Sequence, residues 1–260
     1  MNPRRHALEI LGLWDPVTKA ARTRALFAEL DPARIDPDTV LEAPGPLPGR
    51  PALPRLVPPK EVPTRSPFTL EGRAALLHAV THIEFNAINL ALDAVWRFAG
   101  MPVAFYVDWL RVASEEALHF TLLHEHLLTL GCEYGSFDAH DGLWTMTQRT
   151  AHDVTARMAL VPRTLEARGL DAAPPMQAKL KRAGDLRAVE ILDVILRDEV
   201  GHVAIGNHWY RWLCARDGHD PVALYAELTL RHQAPRLRPP FNTEARRAAG
   251  FTEAEIDLLS

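Results

Sequence analysis

The stretch FYVDWLRVASEEALHFTLLHEHLLTL, residues 105–130, decides the fold. Phe105, Trp109, Val112, Glu116, His119, Leu123, Leu127 and Leu130 recur at steps of three and four, which aligns them on one stripe of a helix. Gly131 ends it. Glu116 and His119 stand where that stripe calls for leucine or isoleucine. An i, i+3 pair points its side chains in nearly the same direction, so a carboxylate and an imidazole from one helix can reach a common metal ion.

Working upstream, Leu77, Thr81, Glu84, Ile88, Ala91, Val95 and Phe98 form a similar stripe within Leu70 to Phe98. Gly100 and Pro102 supply a stop and a restart, glycine for a left-handed residue after a helix and proline for a first turn. Two long helices with so short a link are expected to be antiparallel neighbours.

Downstream, a looser segment, Glu133 to Gly142, leads to a third helical stretch from about Leu143 to Arg168, with a kink expected at Pro162. A connector with a short helix, Pro175 to Ala183, follows. Gly184-Asp185 reads as a break and an N-cap, and opens a fourth stripe of Ala188, Leu192, Ile195, Glu199, His202, Gly206, Trp209 and Leu213. No segment shows sustained alternation with β-branched residues, so the chain is expected to be all-α, an antiparallel four-helix bundle over 68–216.

Residues 1–67 read as an N-terminal extension: a helix near Ala7–Leu30 broken at Asp15-Pro16, then a strap with nine prolines between Pro44 and Pro67. Residues 217–260 form a C-terminal extension. It holds Arg231, Arg236, Arg238, Arg246 and Arg247, a basic cluster without aromatic interleaving that reads as a strap across the bundle more readily than as an RNA-binding surface.

The second polar pair, Glu199-Val-Gly-His202, repeats Glu116-Ala-Leu-His119. The 17 glutamates and 12 histidines in 260 positions give about 0.8 Glu-x-x-His matches by chance, so the two matches gain their meaning from lying mid-helix in register with an apolar stripe. A metal core of this kind needs one further glutamate from each remaining helix. Glu84 lies 32 residues before Glu116 and Glu166 lies 33 before Glu199, so the chain reads as two copies of one helix pair. Four buried glutamates without compensation would each cost several kcal/mol, and two divalent cations balance them. The nitrogen and oxygen donors suit iron or manganese; zinc shares them but prefers tetrahedral, mononuclear sites.

Acidic residues precede both motif glutamates. Glu115 and Asp198 are either solvated charges or outer partners that fix the ligand imidazoles. Glu166 falls near the expected end of its helix, between Pro162 and Gly169, so that helix continues or an irregular turn brings the carboxylate inward. His152 and Asp153 are the alternatives there. His82 lies two residues from Glu84 and off its face; His124, His126, His140 and His208 read as surface or interface residues, and Trp109, Trp209 and Phe105 as core filling.

Glu84, Glu116-x-x-His119, Glu166 and Glu199-x-x-His202 resemble the ligand pattern of the ferritin-like di-iron carboxylate superfamily. His82-Ile-Glu-Phe-Asn86, Ser114-Glu-Glu-Ala-Leu-His119, Glu166-Ala-Arg-Gly-Leu-Asp171 and Arg197-Asp-Glu-Val-Gly-His202 are similar, more closely, to the uncharacterised bacterial ferritin-like family (domain of unknown function, number 455) related to the tRNA hydroxylase group. The resemblance covers about residues 65 to 250 and implies a ferritin-like bundle with a di-metal site.

Composition narrows the function classes. The net charge of −4 gives no general attraction to phosphate, and Cys132 and Cys214 are too few for a cysteine-built metal site or a disulfide framework. No run of about 18 apolar residues occurs and no apolar signal region follows the basic start, so a cytoplasmic protein off the membrane is expected. Phosphate loops, serine elbows and Cys-His pairs are absent. The leading expectation is an O2-dependent di-iron oxidase or hydroxylase, with an unidentified small molecule or nucleoside as substrate and an unidentified electron donor. Iron storage or peroxide protection, in an oligomer, and a purely structural metal pair are the alternatives.

Overall fold

The caps that separate one helix from the next are legible one by one in the computed structural model, which describes residues 2–258. Every regular element among them is helical, and the chain is all-α. None of these helices is long and apolar enough to cross a membrane. The chain divides into two units, Met1–Trp144 with Ala183–Ile191, and Thr145–Arg182 with Leu192–Ser260.

In the first unit, Asn2 and Asp15 accept the backbone N–H groups of Arg4 (3.1 Å) and Thr18 (2.6 Å), with a proline next in line each time. Those caps make two helices, α1 (Pro3–Leu11) and α2 (Pro16–Ala28), of the stretch expected to break at Asp15-Pro16. Thr69 caps α3 (Leu70–Arg97); after Gly100, at φ +76°, the chain reverses into the antiparallel α4 (Val103–Thr129).

Helix α3 is buried all round from Glu84 to Trp96, while Glu71, Ala79 and Ile83 leave its first half exposed on one side. Leu77, Thr81, Glu84, Ile88, Ala91 and Val95 form one buried face, and a second buried line, His78, His82, Asn86, Asn89 and Asp93, is wholly polar. Polar groups out of water must find partners, and each of these side chains has at least one. His78 Nε2 accepts the Gly135 N–H (2.9 Å), His82 Nδ1 lies 2.8 Å from the Tyr134 hydroxyl, Asn86 Nδ2 donates to the His82 carbonyl (3.1 Å), and Asp93 accepts from Arg97 (2.7 Å) and Trp96 Nε1 (3.2 Å). The Lys19 ammonium donates to Asn89 Oδ1 (2.6 Å) and to the Leu11 and Gly49 carbonyls (3.0 and 2.8 Å).

The N-terminal segments are therefore structural parts of this unit. Arg4, fully buried, donates to the last-turn carbonyls of α3, Val95 (3.1 Å) and Trp96 (3.0 Å), and to those of Asp36, Pro37 and Thr39. It satisfies helix-end acceptors that have no partner within the helix. The proline-rich strap is pinned by a parallel bridge between Leu56 and Ala139 and by the Arg50–Asp141 ion pair (2.9 Å).

Helix α5 (Gly142–Arg149) starts as expected, but Asp153, accepting from Ala156 N–H (2.9 Å), caps a new helix, α6 (Val154–Leu160). Helical turns then run without a break through a π-helical segment, Val161–Glu166, into α7 (Ala167–Arg182). The expected helix end at Arg168 and the separate helix from Pro175 are thus corrected. Proline interrupts a helix by withholding an N–H from the carbonyl four residues back; for Pro174 that carbonyl is Leu170's, and Asn242 Nδ2 supplies a substitute donor at 3.2 Å. Asp185 caps α8 (Leu186–Asp217) through the Ala188 N–H (3.0 Å), as the sequence indicates. His126, expected at the surface or an interface, is buried against Asp185 at 2.9 Å.

The second unit continues with α9 (Pro221–Arg231), α10 (Thr243–Ala248) and α11 (Glu253–Asp257). Ala167, Leu170, Val203, Ala249, Phe251 and Ile256 close its core, and each large side chain there contributes about 1.5–3 kcal/mol on burial. Of the basic cluster, Arg231 pairs with Glu227, Arg246 is buried on Asp171 (2.6 Å) and Arg247 pairs with Glu253 (2.7 Å).

Burial, aided by the Arg50 charge, lowers the Lys19 pKa from 10.5 to about 7. Between those values the unfolded chain binds the proton more tightly than the folded one, so this group makes stability rise with pH across that window. Urea unfolding near both ends of the window should show wild type gaining on Lys19→Met as pH rises; parallel pH profiles would show that the ammonium is not depressed.

Candidate metal centre

Helices α3 and α4 place Glu84 opposite Glu116 and His119. His119 Nδ1 lies 3.3 Å from Glu84 Oε2 and 3.3 Å from Glu116 Oε2, and the three side chains each offer a ligand atom within 4.8 Å of the others. Glu84 is 3 % exposed and the other two are fully buried. Their helices are fixed by the surrounding apolar packing: Phe85 and Phe120, each next in sequence to one of these residues, meet at 5.9 Å between ring centroids, and Trp109 and Phe105 fill the stripe on α4 as expected.

The electrostatics of this group are unfavourable without a cation. Burial, and then the neighbouring Glu116 carboxylate, push Glu84 well above the usual carboxylate range. A divalent ion among these atoms reverses both effects, because it favours the charged carboxylates and needs the imidazole neutral. Two carboxylates and an imidazole, buried and convergent, are a donor set that could hold a metal ion.

The second unit holds Glu166, Asp198, Glu199 and His202, and Glu115 lies on α4 of the first. Glu199 and His202 are buried on α8, with His202 Nδ1 4.0 Å from Glu199 Oε1, so the i, i+3 geometry of α4 recurs. Glu166 closes the π-helical segment and is 7 % exposed. Glu115 and Asp198 are half-buried, and Arg197 Nε donates to Asp198 at 2.9 Å. His152 is exposed and Asp153 is spent on the α6 cap, so neither replaces Glu166.

His82 belongs to a different cluster. Its ring stacks on Tyr134 (centroids 6.0 Å apart), as does that of His78 (5.5 Å), and burial drives the two imidazoles down to about 3 and 4 respectively. They are neutral structural groups. The sequence reading missed this polar line on α3 although the spacing of His78, His82, Asn86, Asn89 and Asp93 carries the helical period; only the apolar stripe beside it was followed.

An all-α protein with a buried glutamate–histidine cluster able to hold a metal ion is the class that fold and site define. Residues 13–257 match the family described as a protein of unknown function, DUF455, and the chain belongs to it. It is 56% identical over 216 residues to an uncharacterized protein of Haemophilus influenzae, spanning 80% of this chain and 75% of that one. No solved structure matches the chain.

The raised Glu84 pKa favours protons on the folded state, so its contribution is greatest below the ordinary carboxylate value of 4.5 and is lost as pH rises. Metal-free Glu84→Gln should therefore unfold at least as late as wild type at neutral pH, by roughly 1–3 kcal/mol. Added divalent metal should stabilise wild type more than the variant. A variant that is less stable than wild type in chelator would contradict the like-charge account.

Proposed function

We propose that this chain is a ferritin-like di-metal carboxylate protein, its bundle spanning 68–216, in which Glu84, Glu116, His119, Glu166, Glu199 and His202 hold two divalent cations, iron by preference. The reading assigns it an O2-dependent oxidation of a small organic molecule or nucleoside. The observation that carries it is the meeting of Glu84, Glu116 and His119 at 3.3 Å in a buried setting. The repeated Glu-x-x-His geometry on α8 and the near-equal spacings 84–116 and 166–199 support it.

When bound, an iron pair supplies the electrons that reduce dioxygen. The residues of this chain provide the setting. Glu84, Glu116, Glu166 and Glu199 supply four negative charges that balance two dications, and His119 and His202 supply neutral nitrogen donors. Glu115 and Asp198 are assigned to hold the second ring nitrogen of the imidazoles and so fix their tautomers. The apolar side chains beside these ligands, Phe85, Phe120 and Trp109, keep water from the site and strengthen every charge interaction inside it.

Protein purified without oxygen and loaded with Fe(II) should hold about two ions per chain by elemental analysis and change its absorbance on admission of O2. Glu199→Gln should bind fewer. Wild type with fewer than two metals, or with two that ignore O2, overturns the oxidase reading.

A further inference from the structure

The π-helical segment Val161–Glu166 is held from one side by the C-terminal residues of the chain. Arg163, 3 % exposed, leaves this segment and donates to Glu255 Oε1 (2.6 Å) and to Asn207 Oδ1 (2.7 Å), while its guanidinium lies about 5 Å from the rings of Tyr225, Phe251 and Tyr210. A buried arginine caged by three rings and one carboxylate has a single geometry.

Glu255 is itself fixed. Its second oxygen accepts from Arg211 (2.8 Å), the Thr252 N–H (2.8 Å) and the Thr252 hydroxyl (2.9 Å), and its own N–H returns to Thr252 Oγ1 (3.3 Å) in a capping box. Burial alone would raise its pKa, but Arg163 and Arg211 outweigh that and hold it below the usual range, so the carboxylate stays charged.

The same C-terminal region repairs the helix beyond the π segment. Asn242 caps the Leu170 carbonyl left by Pro174, and Arg246, fully buried, donates to Asp171 and to the Ala167 carbonyl (3.4 Å). Within the segment, Thr164 Oγ1 donates to the Ala159 carbonyl (2.7 Å) and meets the Tyr225 hydroxyl (2.8 Å). A wide helical turn is a local minimum only where its surroundings over-determine it, and here the determinants come from α9, α10 and α11.

We infer that Glu255 is a positioning residue that acts through Arg163 to hold the π-helical turn, and that this clamp sets where Glu166, three residues on, presents its carboxylate. The assignment of Glu166 as a ligand rests on the proposed di-metal reading; the clamp on the turn does not. It gives the C-terminal extension a task at the metal centre without any of its residues touching a metal.

Hydrogen exchange of the full chain, without metal, tests the clamp directly. In Glu255→Ala the amides of 159–170 should exchange about tenfold faster or more, while those of α3 and α4 keep their wild-type protection. Glu255→Gln, which keeps the cap acceptor but not the charge, should fall between. Titration with Mn(II) supplies the second readout: Glu255→Ala should lose affinity for one of two ions by about tenfold and keep the other. Unchanged exchange at 159–170, or a rise spread equally over α3 and α4, overturns the clamp. Wild-type affinity for both ions in a variant whose turn has loosened overturns the positioning of Glu166. Wild type that takes no Mn(II) or Fe(II) overturns the di-metal reading, and the exchange data then decide the clamp alone.

Discussion

Two carboxylates that share one dry space with a single imidazole repel each other more strongly than they would in water, and the helices that carry them must be held together by something else. In this chain the holding is done by α3, whose turns from Glu84 to Trp96 are buried on every side. One face packs along α4 and brings Glu84 to Glu116 and His119; the other is a polar line locked to Lys19 and to the Tyr134 loop. Because α3 is gripped from both directions, the unfavourable placement of Glu84 is tolerated, in the way functional sites often retain strain that the scaffold over-determines.

The grip explains the long N-terminal region. Its first helix delivers Arg4 to the final carbonyls of α3, and its second delivers an ammonium to Asn89. Neither contact involves a residue of the glutamate–histidine cluster, yet both act on the helix that positions Glu84. The C-terminal region is placed to do the equivalent for the π-helical turn, through Asn242, Arg246 and Glu255. In both units the residues outside the long helices serve to constrain one acidic element.

Much of this was legible in the sequence where a single helix carried the signal. Stripes with period 3.6 located α3, α4 and α8, and the polar interruptions Glu84, Glu116-x-x-His119 and Glu199-x-x-His202 stood out against them because a buried charge in a leucine position has few structural excuses. Sequence reasoning failed where the cause was distant. Helix α7 runs through Pro174 because a side chain 68 residues later satisfies the orphaned carbonyl, and no local rule reports that. The pairing of His126 with Asp185 spans 59 residues, and the cap role legible at Asp185 says nothing of its second partner. The anchored Lys19 and Arg4 were invisible for the same reason, since apart from Asn89 Oδ1 the acceptors they meet are main-chain oxygens that carry no residue-type signal.

The π-helical turn approaches α8 closely at one point. A Cβ on Gly206 would lie 2.6 Å from the Pro162 Cβ and 2.8 Å from its Cγ, inside any normal contact. Glycine on one side and a pyrrolidine ring on the other are thus two halves of one steric bargain. Because every residue but glycine carries the nearer of those two atoms, an alanine at 206 cannot be accommodated by trading away the ring alone and must displace the turn itself.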